Sequence, residues 1–153
     1  MIYKHKHNPL YIDLVLVVFD IIYFVFACYI YLSCRTEDML IYSWLNIDTS
    51  SNFISFIREH SIILPNWVKY NLPDALWLLS YLLLIDWMWG KAHQMKLFFQ
   101  VPVILFAFIL EYLQYMGWFY GTGDIIDIAF YIISILIYII IYKIKFLLYE
   151  NFY

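Results

Sequence analysis

Four stretches of this chain each hold close to the roughly 20 apolar residues that a helix needs to cross a bilayer core about 30 Å thick. They cover residues 10–33, 72–89, 97–116 and 124–144. A chain built this way is expected to fold as helices in lipid, because a helix satisfies its own backbone groups where no water can. Composition agrees. Only 14% of the 153 residues are charged and 65% are hydrophobic, with a mean hydropathy of +0.76, against about 25% charged in a soluble domain. The polar residues cannot cover a water-soluble globule, and the hydrophobicity excludes disorder. The expected fold class is all-α: one integral membrane domain over residues 1–153, a four-helix bundle with one or two interfacial amphipathic helices in its first loop.

The first run is expected to be a span rather than a cleaved signal. It is too long, holds Asp13 and Asp20, and is followed by no small-x-small site. Orientation follows from the cations. Lys4 and Lys6, Lys91 and Lys96, and Lys143 and Lys145 fall in three segments on one side of a four-span layout, against Arg35, Arg58 and Lys69 in the long first loop. That bias places both termini in the cytoplasm of a multi-pass membrane protein. In the first loop, Met39, Leu40, Trp44, Leu45 and Ile47, then Phe53, Ile54, Phe56 and Ile57, form apolar faces separated by a turn at Asp48 to Asn52. Ser50, Ser51 or Asn52 is placed to cap the helix that follows.

A net charge of −3 with no basic cluster excludes nucleic acid as a partner. Cys28 and Cys34 are the only cysteines and read as two small apolar side chains. The histidines, His5, His7, His60 and His93, lie outside the spans and form no metal pattern. No phosphate-binding loop, dinucleotide fingerprint or nucleophile elbow is present.

What remains is the set of polar residues inside apolar runs, each of which costs about 2.5 to 3.5 kcal/mol at mid-membrane. Glu111 and Gln114 share a helical face, and Asp124 and Asp127 repeat that spacing at the start of the next run. Gly117, Gly121 and Gly123 between them suit a tight hairpin. Asp74 also falls at the outer end, in the first turn of the second run. Together these acids and one amide are expected to line a cavity in the outer leaflet. Plainer roles stand beside this. Asp74 after Pro73 and Asp124 after Gly123 suit helix starts, whereas Glu111 and Asp127 lie too deep for capping and would otherwise serve as interhelical hydrogen-bonding groups. Asp20 is expected near the midplane facing the bundle, and Asp86 in the inner interface.

The order E-x-x-Q, a glycine-containing turn, then D-x-x-D at the start of a last membrane helix resembles the VanZ-like family of small membrane proteins. Glu111, Gln114, Asp124 and Asp127 carry the resemblance, and LPDALWLLSYLLLI is similar to the second-span segment of small bacterial relatives. Some members raise resistance to teicoplanin, which implies a role in the bacterial cell envelope. This chain has Gly121 or Thr122 where the family carries an Arg, Tyr131 in place of an Asn, and Ile135 in place of a small residue. The missing Arg removes the natural counter-charge of the acids.

Three readings follow. In the first, the cavity binds a lipid headgroup or lipid-linked cell-wall precursor, with a divalent cation as the one cofactor its carboxylates suit. In the second, the chain is a noncatalytic membrane subunit, in a homo- or hetero-oligomer, whose acids serve packing. In the third, one carboxylate is the general base of an enzyme acting on a lipid-linked substrate, although nothing distinguishes a base from a ligand.

Overall fold

A computed structural model describes residues 9–35, 42–43, 45–90 and 92–150, the side chains of Pro9, Leu10 and Glu150 excepted. Lys4, Lys6, His5, His7, Met39, Leu40, Trp44 and Lys91, named above, lie outside the described residues. The described helices follow one another as α1 (Pro9–Cys34), α2 (Asn52–Glu59), α3 (Asn66–Tyr70), α4 (Leu72–Trp89), α5 (His93–Tyr115) and α6 (Ile125–Glu150). No strand occurs among the described residues.

Among the described residues, three helices are long and apolar enough to cross a membrane, over Tyr11–Cys34, His93–Tyr115 and Ile125–Tyr149. Their outward faces are apolar. On α1, Leu14, Val18, Ile21, Ile22 and Val25 are all about half exposed. Leaving such surface in water forfeits roughly 25 cal/mol per Å², a penalty that disappears in hydrocarbon. These three helices point to a membrane-embedded protein.

Helix α4 is the shortest of the four long helices, at 18 residues, and sits at the centre, packed against α1, α5 and α6. Its start follows from Leu72-Pro73-Asp74, since proline fits a first helical turn and an acid favours the positive end of the dipole. Its end follows from Gly90, whose φ of +44° lets the chain turn away while its N–H bonds Asp86 O. Leu78 and Leu82 of α4 meet Tyr131 of α6, and Val103, Ile104, Ala107 and Phe108 of α5 close over them.

Polar contacts fix the helix directions. Asp13 near the start of α1 meets Lys145 near the end of α6, which also reaches Asp86 at the end of α4, and Asp86 in turn meets Lys96 at the start of α5. Tyr31 at the end of α1 meets Asp74 at the start of α4. Consecutive long helices therefore alternate in direction.

In the first loop, Ser51 caps α2 by accepting from Ile54 N at 3.5 Å. Asp48 opens the preceding turn. Ser50 donates to its Oδ1 through both backbone N–H and hydroxyl, which holds the Asp48 carboxyl below the usual carboxylate range. Ile54 is buried while Phe53 and Phe56 are exposed. Arg58 of α2 donates to Leu32 O in the last turn of α1 and to Arg35 O just past it, and Tyr42 donates to Tyr31 O, so the loop is fastened over the C-terminal end of α1.

Candidate functional site

At one end of the bundle the α5–α6 connection folds back tightly. A Cβ on Gly123 would come within 2.3 Å of Tyr115 N and 2.8 Å of Glu111 O, so only a glycine lets the chain lie against the end of α5. That approach brings Asp124 N within 3.3 Å of Glu111 Oε2. Gly123→Ala is expected to prise the hairpin open and destabilise the protein by about 2 kcal/mol, read as a lowered Tm in detergent.

The acids gather here from three helices. Glu111, buried on α5, accepts the Asp124 N–H. Asp124 caps α6, its Oδ1 accepting from Ile126 N at 2.9 Å. Asp127, buried in the first turn of α6, accepts from Asn71 Nδ2 at 2.7 Å. Asp74 of α4 accepts from Tyr31 OH at 2.9 Å and pairs with Arg35 at 3.5 Å. Glu111 lies within electrostatic reach of Asp74, Asp124 and Asp127, and Asp74 of Asp127. Tyr131, buried one turn along α6 from Asp127, faces the same group and packs edge-on against Phe108.

Gln114 takes a different place. It donates to Tyr120 O at 3.0 Å, and Gly121 lies against its side chain, so it fastens the hairpin loop rather than joining the acids. Asp20 faces the bundle and accepts from Ser80 of α4.

The counter-charge absent from the α5–α6 turn comes from Arg35, just past the end of α1. Its guanidinium donates to Tyr70 O at 2.7 Å and lies over the rings of Tyr31 and Tyr70, with 5.1 and 5.2 Å to their centroids. Among the described residues it is the one cation paired with any of these acids. Four carboxylates thus stand against one positive charge. They do not form a cage, since no three of the described acids, histidines or cysteines are placed to hold a metal ion.

At the opposite end the acids are paired with lysines. Asp86, near the end of α4, is buried at 5% exposure. Its two oxygens accept from Lys96 and Lys145, each at 2.8 Å, and Lys145 also pairs with Asp13 at 3.0 Å. Lys96 is equally buried and sits 4.4 Å above the Tyr142 ring. Nearby, Gln100 donates to Leu82 O and Tyr138 OH. Two acids and two lysines cancel. The chain matches no protein-family model, no curated protein and no solved structure.

Proposed function

We propose that this chain is a small protein of the bacterial inner membrane whose acid-rich end binds a lipid headgroup or a lipid-linked cell-wall precursor in the outer leaflet. One observation carries the reading. Asp74, Glu111, Asp124 and Asp127 converge with Arg35 as the one cation paired to any of them among the described residues, while at the other end Asp13 and Asp86 are each met by lysine. Ionised carboxylates only accept hydrogen bonds, so the groups that suit this end are the amines and hydroxyls of a headgroup or sugar. A bare phosphate is repelled. The VanZ-like resemblance carried by Glu111, Gln114, Asp124 and Asp127 points to the same place in the envelope.

In this reading α4 also spans. At about 1.5 Å per residue its 18 residues reach about 27 Å, near the hydrocarbon thickness, with the rest taken up by its paired ends. Lys96, Lys143 and Lys145 lie toward the end where α5 starts and α6 finishes, which supports a cytoplasmic side there and an outward-facing acid cluster.

The packing reading has its own support, because each of the four acids has a partner within the chain. The two readings separate in one experiment. Glu111→Gln and Asp127→Asn keep size and most hydrogen bonds but remove charge. Purified in mild detergent, the parent protein is expected to retain an amine- or sugar-bearing lipid by native mass spectrometry, and both variants to lose it while staying helical. Equal retention by all three overturns the binding reading in favour of packing.

A further inference from the structure

Asp20 stands apart from both polar ends. It is 7% exposed, and its one hydrogen bond comes to Oδ1 from the Ser80 hydroxyl; no bond reaches Oδ2 among the described residues. At one turn per 3.6 residues it lies about two turns along α1 from Asp13, on the same face. A small cavity fills the interval, lined by Leu16, Val17, Leu83 and Trp87 between Asp13, Asp86 and Lys145 at one end and Asp20 at the other. It has about 10 Å³ of room for a water's centre, near the least that holds one water molecule. Lys145 and Lys96 neutralise Asp13 and Asp86, so Asp20 alone has no cation. A carboxyl in such surroundings is stable as the acid or beside water, and either state requires a route for protons.

We infer that Asp20 exchanges its proton with water admitted to this cavity from the Asp13 end of the bundle. In the transfer, the O–H bond of acid-form Asp20 breaks as its proton joins a water oxygen. The hydronium so formed gives that proton to solvent beside Asp13, whose side chain is 32% exposed. No electron is exchanged. The charged and titratable groups facing the path are Asp13 from α1, Asp86 from α4 and Lys145 and Tyr149 from α6, with Lys96 of α5 on the far side of Asp86.

Infrared spectroscopy on the full chain in lipid nanodiscs tests this. Stepwise acidification is expected to raise a carboxylic-acid carbonyl band that is lost in Asp20→Asn, moved in Asp20→Glu, and shifted by exchange into D2O. Val17→Phe fills the cavity and is expected to keep the band but slow its exchange by roughly an order of magnitude. Val18→Phe, on the exposed face of the same turn, is expected to leave the rate unchanged. The inference is overturned if no Asp20-dependent band forms at any pH where the protein stays folded. It is overturned equally if Val17→Phe exchanges as fast as the parent, or Val18→Phe as slowly as Val17→Phe.

Discussion

Asp86→Ala is expected to destabilise the protein by about 3 to 5 kcal/mol, the largest effect of any single substitution outside the acid-rich end. The carboxylate is buried and divides its oxygens between two lysines that come from different helices, α5 and α6. Removing it leaves Lys96, at 4% exposure, with no acid beside it, held by the Tyr142 ring alone among its described contacts. Lys145 fares better because Asp13 stays 3.0 Å away. The asymmetry predicts a rescue. Asp86→Leu combined with Lys96→Met removes one acid and one cation together and leaves the Lys145–Asp13 pair, so most of the lost stability should return. Reversible unfolding in mixed micelles measures both variants. If the double variant is no more stable than Asp86→Leu alone, the ion pair is not what holds this end.

That network marks where the sequence was hardest to read. The apolar runs were visible because hydropathy is local, and the four long helices fall on them, α5 starting at His93 and α6 running to Glu150. Extending α5 back to His93 draws Lys96 into the bundle, whereas a span starting at 97 leaves it in the loop. Asp86 and Lys145 are separated by 59 positions, and nothing in either neighbourhood names the other. The pairing is a property of helix packing, which no run of residues records. The hairpin was legible for the opposite reason: Glu111, the glycines and Asp124 lie within one short segment, and their spacing carries the geometry. Arg35 and Asn71 were missed because each sits at a helix boundary in a stretch read as loop. A signal existed for Arg35. The buried acids need a cation, the turn between Glu111 and Asp124 holds none, and Arg35 follows directly on the first apolar run.

Arg35 also offers the sharpest test of what the acids are for. Arg35→Met keeps much of the aliphatic volume but deletes the Asp74 ion pair, the bond to Tyr70 O and both ring contacts. The expected cost is about 2 to 4 kcal/mol, since the guanidinium is largely buried and Asp74 is left with the Tyr31 hydroxyl alone. If the acids only pack helices, the loss is all that follows. If they receive a donor-bearing headgroup, the variant has four carboxylates and no internal cation, so an amine should replace part of what Arg35 supplied. In nanodiscs, exchanging phosphatidylcholine for phosphatidylethanolamine is then expected to raise the Tm of Arg35→Met more than that of the parent, because the primary ammonium donates hydrogen bonds and the quaternary one does not. Adding Glu111→Gln should shrink that difference. Equal shifts in parent and variant would mean that the acid-rich end is a packing feature and that its excess charge recruits nothing from the lipid.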